Sequence, residues 1–505
     1  MALPDWLSPL LDAPAMREAD RWAIEDRDIP SLALMENAGR SVADAAAAIA
    51  GDGPIRVVCG KGNNGGDGLV AARMLSTDQR PVEVVLLWPV EELSDDAKVN
   101  LERYAGGVRR PGPNEVAATI AGSGAVVDAI FGTGFSGAPR EPAAAAIEAI
   151  NDAACPVLAC DIASGIDAST GAAEGVAVNA DRTVTFHAKK AGQLIAPGAE
   201  HTGELEVADI GIPREAPAEP VAGVIGEQVL DLAPRRGARS NKFSSGNVLV
   251  VGGSRGLTGA VCLAGQAAIR AGAGYAAVAA PRTLEQILEV KLTEVMTLGL
   301  EHRDGSLVPA AADAVIERSE SADCVVLGPG LGRAEGAAEL ARRLAGELER
   351  PLLIDADGLN ALGTEPELAS REERPLIITP HEGELARLLG TESAEVSASR
   401  LESARSVAER CRGIVVLKGA DTIVTDGERV AINSLPSPGL ATAGTGDVLS
   451  GTIAALLARG MQPFEAACAG VLAHARAGRT AAERVGAESV IATDVIGSLP
   501  VGLTR

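Results

Sequence analysis

The sequence predicts two α/β domains in tandem, each a three-layer arrangement with helices on both faces of a mostly parallel sheet. Its 505 residues exceed the ~250 to 300 at which a single core stops growing. Continuous Val, Ile and Leu runs alternate with helical stretches in both halves, a pattern typical of buried parallel strands. A stretch rich in Pro, Ala and charge separates the halves. We therefore expect domains at 1–213 and 240–505, joined by a linker at 214–239.

The first domain should take its strands from four apolar runs and its helices from the stretches between them. The runs are IRVVCG from Ile55, PVEVVLLW, AVVDAIFG and CPVLACDIA, and helices are expected near 69–76, near 94–105 and around the alanines at 143–146. Three strands lead into glycine-rich loops, KGNNGGDG, GTGFSGAPREP and SGIDASTG. Ligands of open parallel sheets bind outside the carboxyl ends of the strands, so these loops should converge on one crevice.

The second domain repeats the alternation with different spacing. Its candidate strands are NVLVVGGS, DCVVLGPGLG, PLLIDADGLN, PLIITPHEGE and GIVVLKGADT, after which a glycine-rich segment opens a helix. No fixed period relates the two halves, so they are two domains of one fold class rather than internal repeats.

The amino-acid composition limits the kinds of molecule that this protein is expected to bind. A net charge of −23 and only 2% aromatic residues predict no nucleic-acid partner, because the field repels a phosphate backbone and stacking platforms are scarce. An anionic nucleotide would need local devices such as backbone amides, helix N-termini, a cation or one Lys. No apolar stretch approaches the ~18 residues of a membrane span, and none of the seven Cys forms a CxxC pair. We expect no membrane association and a cytoplasmic protein with reduced thiols.

The segment ATAGTGD, residues 441–447, is the sharpest candidate for an anion site. Gly444 and Gly446 let the backbone turn tightly and aim N–H groups at an anion, and the helix that begins there adds its positive dipole end. Asp447 would repel a phosphate, which makes sense if it accepts a proton from an attacking hydroxyl. The alternative is a purely structural first-turn Asp that stabilises the helix.

Two other strand ends carry polar groups. Lys418 and the GADT segment after it supply one cation and several backbone amides, while TPHEGE places His381 and Glu384 three residues apart. Glu384 could hold magnesium through water, because Mg²⁺ takes few protein carboxylates and keeps its hydration. His381 could equally be a core or capping histidine.

These motifs together resemble a known family. GGSxxxTGA (252–260), TEVM (293–296), GPGLG (328–332), DADGLN (355–360), TPHEGE (379–384), KGADT (418–422) and AGTGD (443–447) resemble the ribokinase-like fold and, more narrowly, the ADP-dependent NAD(P)H-hydrate dehydratases, over about 240–500. The resemblance implies phosphoryl transfer from ADP, or ATP, to the ring hydroxyl of a hydrated nicotinamide, followed by elimination.

The same resemblance implies roles for particular residues. Asp447 would be the base and contact the hydrate, and Ala260, Gly330 and His381 would contact the hydrate as well. Magnesium near Glu384 is an inference from the broader kinase fold. The nucleotide-binding residues, including the turn at Gly444, would be Lys418, Gly419, Ala420, Asp421, Thr422, Gly444 and Gly446.

In the first half, GKGNNGGDG contains a GxGxxG pattern directly after a strand, so a hydride-transferring dehydrogenase must be considered. A lone GxGxxG is weak, and no single acid stands clearly at the end of the next strand. Asp128 lies in an otherwise apolar strand and needs a partner or cation, and Asp161 and Ser164 follow the next strand. Oxygen ligands of this kind suit a hard cation better than zinc. The alternative is a set of loop-capping hydrogen bonds.

MREADRWAI (16–24), IPSLALMENAG (29–39), VVCGKGNNGGDG, VVDAIFGTGFSG and DIASGIDASTG resemble the NAD(P)H-hydrate epimerases over about 10–213, with Ala163 where Pro is usual. The resemblance implies Asn64, Asp128 and Ser164 as potassium ligands and Asp161 as a substrate contact, and we expect Asp161 to carry the proton. The implied binding residues for the hydrated dinucleotide are Asn63, Asn64, Gly65, Gly66, Asp67, Gly132, Thr133, Gly134, Phe135, Ser136, Gly137, Ala138 and Asp161.

The fusion predicts metabolite repair, in which R and S hydrates of NADH and NADPH are epimerised and the S form is dehydrated with ADP, releasing AMP and phosphate. Two rival hypotheses remain: a ribokinase-like small-molecule kinase fused to a nucleotide-sensing domain, and a first domain that senses dinucleotides without catalysis. We expect a homo-oligomer.

Overall fold

The protein was analysed as a computed structural model that describes residues 3–77, 81–370 and 374–505. Two compact units emerge, one formed by Pro9–Ala222 and the other by Pro4–Ser8 with Gly223–Arg505. Both are α/β with mainly parallel sheets, so the predicted fold class is confirmed.

The strands, in chain order, are β1 (Leu7–Leu10), β2 (Ile55–Cys59), β3 (Val82–Leu86), β4 (Gly107–Arg109), β5 (Ala125–Ala129), β6 (Val157–Cys160), β7 (Arg182–Phe186), β8 (Glu204–Ala208), β9 (Ala222–Ile225), β10 (Asn247–Val251), β11 (Tyr275–Pro281), β12 (Met296–Leu300), β13 (His302–Arg303), β14 (Ser306–Leu307), β15 (Cys324–Leu327), β16 (Leu352–Ile354), β17 (Leu376–Ile378), β18 (Ile414–Leu417), β19 (Ile423–Thr425) and β20 (Val430–Ile432).

The α-helices are α1 (Ala13–Glu25), α2 (Ser31–Ile49), α3 (Asn63–Thr77), α4 (Asp95–Arg103), α5 (Val116–Ile120), α6 (Ala143–Asn151), α7 (Gly198–Thr202), α8 (Thr258–Arg270), α9 (Glu285–Lys291), α10 (Ala312–Ser319), α11 (Glu335–Glu347), α12 (Asp357–Leu362), α13 (Glu382–Leu389), α14 (Ser393–Ala398), α15 (Arg400–Cys411), α16 (Thr445–Ala458), α17 (Pro463–Val485) and α18 (Ala492–Gly502). In the described part of the chain, no helix has the length and apolarity needed to cross a membrane.

The sheet of the first unit has the order β4-β3-β2-β5-β6-β7-β8, with every pairing parallel. The chain runs outward from β2 to β3 and β4 and then returns to β5 on the other side of β2. The carboxyl ends of β2 and β5 therefore form a topological switch point, where neighbouring crossovers leave in opposite directions and open a crevice.

Both faces of this sheet are buried, which explains the unbroken apolar runs. Val57 and Val127 belong to a cluster that includes residues of α1 to α4, whereas Val58 and Val126 belong to a cluster that includes residues of α5 and α6. Successive residues of a strand point to opposite faces, so each residue needs an apolar side chain when helices cover both.

The structure differs from the predicted loop at KGNNGGDG, because α3 already begins at Asn63. Only residues 60–62 form the turn after β2. Gly65 permits the close approach, since a Cβ there would lie 2.0 Å from the carbonyl oxygen of Gly60. The glycines of this segment were predicted to line a loop. Gly65 instead allows the first turn of α3 to pack closely against the end of β2.

The sheet of the second unit has the order β1-β9-β20-β19-β18-β17-β16-β15-β10-β11-β12. Pairings from β12 through β10 to β18 are parallel, and β18, β19 and β20 pair antiparallel. The chain leaves β10 in one direction to β11 and β12 and resumes at β15 on the other side. The switch point of this sheet therefore lies at the carboxyl ends of β10 and β15.

Part of the predicted linker has regular structure in the second unit. Within 214–239, residues Ala222–Ile225 form β9 and Glu227–Leu232 form a short 3₁₀ helix. Residues Pro4–Ser8, inside the predicted first domain, also belong to the second unit. The short apolar stretch VAGVI can extend a sheet despite its Pro-rich surroundings, because it places a Gly where Leu7 packs: a Cβ on Gly223 would lie 2.6 Å from the Leu7 Cβ.

Candidate active sites

The first turn of α16 contains the predicted anion site of the second unit. Gly444 precedes the helix with φ of 90°, a left-handed conformation that L side chains rarely adopt. Thr445, Gly446 and Asp447 form the first turn, where the positive end of the helix dipole suits an anion.

Asp447 lies in a partly buried, strongly acidic environment. Burial, together with the carboxylates of Asp355, Asp357 and Glu384, raises its pKa to about 7, although the Lys418 ammonium opposes them. A carboxylate whose pKa is close to neutrality combines a usable ionised fraction with real basicity, which is what a general base at neutral pH needs.

Lys418 is the cation that balances this acidic environment. Its Nζ donates to Asp355 Oδ1 at 3.0 Å and lies 3.7 Å from Glu384 Oε2. Burial disfavours the charge, but Asp355, Glu384 and Asp447 outweigh that effect and raise the pKa of Lys418. The Ser450 hydroxyl donates to the other oxygen of Asp355 at 2.7 Å. Asp355 was missed as a site residue, although DADGLN was recognised as a motif.

The loop after β18 is held in place by a buried arginine. Arg400 of α15 is 2% exposed, and its Nε donates to Asp421 Oδ2 at 3.1 Å while Nη1 donates to Glu382. Thr422 Oγ1 donates to the carbonyl of Gly419 at 2.8 Å. The side chain of Asp421, predicted to bind nucleotide, thus engages Arg400. Sequence reasoning missed Arg400, because a lone Arg at the start of a helix has no distinguishing pattern.

A cavity of about 530 Å³ brings most of the predicted nucleotide-binding residues together. Lys418, Gly419, Ala420 and Thr422 line it from the β18 loop, and Gly446 lines it from α16. The remaining wall is mainly apolar. The full lining is Lys418, Gly419, Ala420, Thr422, Asn433, Leu435, Pro436, Ser437, Pro438, Leu440, Ala441, Thr445, Gly446, Leu449, Val471, His474 and Ala475.

His381 and Glu384 form a reciprocal cap at the start of α13. His381 Nδ1 accepts from Gly383 N at 3.0 Å and from Glu384 N at 3.3 Å, and Glu384 Oε2 accepts from His381 N at 2.9 Å. The capping alternative for His381 is therefore realised, while its side chain stays 54% exposed. Glu384 is buried.

Ala260 and Gly330 meet at the switch point of the second sheet. Gly330 has φ of 61°, and a Cβ on it would lie 3.1 Å from the Ala260 Cβ and 2.5 Å from the Leu257 carbonyl oxygen. Ser254 Oγ donates to the Gly330 carbonyl at 2.9 Å. These two predicted hydrate contacts are thus neighbours.

In the first unit, Asn64, Asp128 and Ser164 surround the backbone of Phe131. Asn64 Nδ2 donates to the Phe131 carbonyl at 2.9 Å, and Ser164 Oγ accepts from Phe131 N at 2.9 Å and donates to Asp128 Oδ1 at 2.6 Å. Among the described residues none partners the buried Asn64 Oδ1. Burial raises the pKa of Asp128 to about 6, and the bonds from Ser164 oppose that shift.

Asp161 is buried beside a lysine that sequence reasoning missed. Lys190 is 0% exposed, and its Nζ donates to Asp161 Oδ1 at 2.7 Å and to Thr185 Oγ1 at 2.7 Å. Thr133 donates to Asp161 Oδ2 from its N, at 3.1 Å, and from its hydroxyl. Burial alone would raise the pKa of Asp161, but Lys190 and Thr133 together lower it. Asp161 itself has φ of 67°, a strained conformation that accumulates at functional sites.

The negative charge of Asp161 raises the pKa of two further carboxyl groups. Burial, followed by Asp161 and Asp20, raises the pKa of Asp67 well above its ordinary value. Burial, and then Asp161, raises the pKa of Asp20 to about 6. Asp20 comes from α1 and was missed, because MREAD reads as an ordinary amphipathic helix.

The remaining residues predicted to contact the dinucleotide lie either in the segment after β5 or in the first turn of α3. Asn63, Gly65 and Gly66 lie in the first turn of α3, and a Cβ on Gly132 would lie 3.2 Å from the Asn64 Cβ. The Phe131 and Phe135 rings stack with centroids 4.4 Å apart. The other loop residues, Gly134, Ser136, Gly137 and Ala138, follow in the same irregular segment.

The fold and these two candidate sites define a class: a tandem α/β protein in which one unit has a polar crevice at its switch point. The other unit has a carboxylate with a raised pKa at a glycine-framed helix start beside a mainly apolar cavity. Comparison with known families agrees. The family model described as NAD(P)H-hydrate dehydratase matches residues 248–500, and that described as YjeF-related protein N-terminus matches residues 31–192.

Whole-chain relatives make the family plain. The bifunctional NAD(P)H-hydrate repair enzyme Nnr of Moorella thermoacetica is 42% identical, covering 97% of this chain and 96% of its own. The enzyme of the same name from Escherichia coli is 36% identical over 88% of this chain and 84% of its own. A Bacillus subtilis ADP/ATP-dependent NAD(P)H-hydrate dehydratase crystallised with ATP and Mg²⁺ is 27% identical, with a TM-score of 0.48, covering 56% of this chain and 98% of that chain. The chain belongs to the family of bifunctional NAD(P)H-hydrate repair enzymes.

Proposed function

We propose that this chain restores NADH and NADPH from their hydrates in two reactions. The first unit interconverts the R and S hydrates, and the second dehydrates the S form with ADP, releasing AMP and phosphate. The observation that carries the dehydratase is Asp447, a carboxylate with a pKa near 7 in the first turn of a helix whose Gly446 lines an apolar cavity.

In the second unit, the ring hydroxyl of the hydrate attacks the terminal phosphorus of ADP while Asp447 accepts the hydroxyl proton. The P–O bond to AMP breaks, and the phosphoryl group is now an ester of the substrate. The ring nitrogen then donates its electron pair, phosphate departs, and the neighbouring ring carbon loses a proton to complete the double bond. Phosphorylation converts a poor leaving group into a good one.

The residues around Asp447 bind and orient the two substrates. Lys418, Gly419 and Gly446 line the nucleotide cavity, and the Lys418 ammonium and the positive end of the α16 dipole suit the phosphates of the nucleotide. Ala260, Gly330 and His381 contact the hydrate. Asp421 supports nucleotide binding indirectly, by fixing the loop through Arg400.

Magnesium accompanies ADP and neutralises part of its charge. The fit rests on donor chemistry: Asp355, Asp357, Glu384 and Asp447 interact electrostatically in one region, whereas no three His, Cys, Asp or Glu side chains of the described residues form a ligand set of their own. Glu384 would meet such an ion through water, because its carboxylate already caps α13 and lies near Lys418.

Potassium binds in the first unit beside Asn64, Asp128 and Ser164. The unpartnered, buried Asn64 Oδ1 and the hard oxygens of the other two side chains fit this ion. Bound there, it would supply positive charge near the dinucleotide. We expect K⁺ to raise the unfolding temperature of the first unit above the value in Li⁺ at equal ionic strength. Asp128→Asn should remove that difference, and the exposed Asp52→Asn should retain it. Equal temperatures in both salts for the wild type would contradict the assignment.

Asp161 takes part in proton transfer during epimerisation, which proceeds by loss and re-addition of oxygen at the hydrated carbon. Its lowered pKa makes it an ionised, weakly basic group, and the raised pKa of Asp67 makes that residue a reservoir for the proton. Asp161→Asn should stop consumption of the R hydrate by the full chain while dinucleotide binding persists. Unchanged R consumption would exclude Asp161 and favour a sensing role for the unit.

We also propose a cytoplasmic location and a homo-oligomer. All seven Cys are free, and six of them are buried, as expected in a reducing compartment. Val290 is 87% exposed, and Ile287 and Met296 are exposed as well, which supports contacts between copies of the chain. Sedimentation of the purified chain tests the oligomer, and a monomer at micromolar concentration would refute it.

The decisive assay follows the full chain with S-NADH hydrate and ADP. We expect dihydronicotinamide absorbance to return with one AMP and one phosphate formed for each NADH, and the same assay with NADPH hydrate and with ATP ranks the substrates. A stable phosphorylated alcohol without return of absorbance would instead identify a small-molecule kinase.

A further inference from the structure

The apolar cavity of the second unit contains one buried polar atom with no partner. His474 of α17 lines this cavity and is 7% exposed. Within the described residues, nothing accepts from or donates to its Nε2. A buried polar atom left unpaired is unfavourable, so such an atom in a binding cavity points to a ligand group.

Four other polar side chains of the lining already make hydrogen bonds. Ser437 Oγ donates to the Ala475 carbonyl at 2.6 Å, Thr445 Oγ1 to the Leu440 carbonyl at 2.7 Å, and Thr422 Oγ1 to the Gly419 carbonyl at 2.8 Å. Lys418 is bound to Asp355. Among the buried side-chain nitrogen and oxygen atoms of this lining, Nε2 of His474 is the one that has no partner within the described residues.

The environment of His474 fixes its charge and tautomer. Burial lowers its pKa to about 4, the Lys418 charge lowers it as well, and a hydrogen bond to the backbone carbonyl of Thr445 opposes them. The ring is neutral at physiological pH. Its proton lies on the nitrogen that donates to Thr445, which leaves Nε2 as an acceptor.

The position of this acceptor matches the base of a nucleotide. Lys418 and Gly446 belong to the phosphate-binding part of the lining, whereas Leu435, Pro436 and Val471 provide an apolar wall that suits a planar ring system. The exocyclic amino group of adenine is a donor, whereas guanine carries a carbonyl oxygen at the corresponding ring position. An acceptor that faces this position attracts the first and repels the second.

We propose that His474 Nε2 accepts a hydrogen bond from the amino group of adenine and thereby makes the second unit selective for adenine nucleotides over guanine nucleotides. The proposal rests on the proposed function, because the cavity must hold the nucleotide. His474 is a specificity-determining residue in this proposal and takes no part in the proton transfer at Asp447.

The experiment removes the donor of the hydrogen bond by changing the ligand and removes its acceptor by changing the protein. Calorimetry measures the binding of ADP, GDP and the diphosphate of unsubstituted purine riboside, which lacks the amino group, to the full chain. For the wild type we expect ADP to bind about tenfold more tightly than the purine diphosphate and more tightly still than GDP. His474→Leu should weaken ADP about tenfold and leave the purine diphosphate nearly unchanged, so that the two ligands bind equally.

Two further variants interpret the result. Val471→Ile changes the cavity wall three residues away on the same helix, and it should alter ADP and purine diphosphate affinities by the same factor. His474→Gln restores an acceptor and should recover part of the preference for ADP. If His474→Leu does not fold, the wild type still tests the proposal. Equal affinities for ADP and for the diphosphate of purine riboside would overturn it.

The outcomes separate this proposal from the function on which it rests. A wild type that binds ADP but does not distinguish it from the purine diphosphate refutes the role of His474 and leaves the dehydratase intact. A retained preference in His474→Leu refutes it equally. A wild type that binds none of these nucleotides refutes the nucleotide site itself.

Discussion

Asp447 shows how one residue acquires a function from its surroundings. An exposed Asp would be a poor base at neutral pH, because its pKa lies about three units lower. Burial and three nearby carboxylates raise its pKa to about 7, while Lys418 limits the increase. The raised pKa also has a cost, since the ionised form is disfavoured in the folded state.

Replacing Asp447 tests the base directly. We expect Asp447→Asn to lower kcat of dehydration by roughly 10²- to 10⁴-fold, because the amide cannot accept the proton, and to leave ADP affinity within about twofold. Steady-state kinetics and calorimetry provide the two values. Asp313→Asn, on the exposed surface of α10, is the matched control and should behave as wild type. A near-normal kcat in Asp447→Asn would exclude the assignment.

The pH dependence follows from the same group. Because the ionised carboxylate is the active form, kcat/KM for dehydration should rise with pH and level off above the pKa of Asp447, near 7. Lys418→Met removes the charge that lowers this pKa, so the rising limb should move to higher pH. Initial rates from about pH 5 to about pH 9 locate the rising limb in the wild type and in Lys418→Met. A limb that stays in place, or moves to lower pH, would mean that another group controls the rate.

At the scale of elements, loops with functional residues are held by buried charges. Arg400 on α15 joins Glu382 in the first turn of α13 to Asp421 in the loop after β18. A buried ion pair contributes little net stability against an apolar substitute, but removing one partner leaves an uncompensated charge. The bridge therefore positions the loop more than it strengthens the fold.

Arg400→Met should destabilise the second unit by about 3 to 5 kcal/mol, because Asp421 and Glu382 lose their partner. Denaturant unfolding measures the loss, and KM for ADP should rise. The triple variant Arg400→Met, Asp421→Asn, Glu382→Gln should recover part of the stability, since no buried charge then remains. Arg343→Met breaks two exposed ion pairs, with Asp313 and Glu347, and should cost much less stability than Arg400→Met. An unchanged KM for ADP in Arg400→Met would exclude a positioning role for this bridge.

At the scale of the whole molecule, the two units are not two consecutive halves of the chain, because a short N-terminal segment belongs to the second unit. Pro4–Ser8 precede the first unit but belong to the second. The Trp6 ring lies 6.3 Å from the Phe464 ring, and the Trp6 carbonyl accepts from Gly226 N at 2.9 Å. An N-terminal segment thus contributes to the core of the C-terminal unit.

Trp6→Ala should therefore destabilise the second unit, by about 3 to 5 kcal/mol if the site cannot collapse. The transition to watch in thermal unfolding is the one that ADP shifts upward, because ligand binding marks the second unit. Trp22→Ala, within α1 of the first unit, should lower the other transition instead. A Trp6→Ala variant that leaves the ADP-sensitive transition unchanged would contradict the placement of this segment.

One contiguous set of parallel strands in each sheet, the glycine-rich strand ends and the helix start at α16 followed from the sequence alone, whereas the order of the strands across each sheet did not. Buried parallel strands require continuous apolar runs, and tight anion-binding turns require glycine, so both leave local patterns. Strands with mixed or Ala-rich sequence, such as β7 and β11, left no such pattern and were missed. So was the N-terminal strand β1.

The sequence by itself thus determined the fold class and the family and predicted two candidate sites, because periodicity and short motifs encode them locally. Only the tertiary structure decided which charges meet: Lys190 with Asp161, Asp355 with Lys418, and Arg400 with Asp421. It also decided the pKa of Asp447 and the unpaired atom of His474. These properties arise from burial and from contacts between residues far apart in the chain, and no local pattern specifies either.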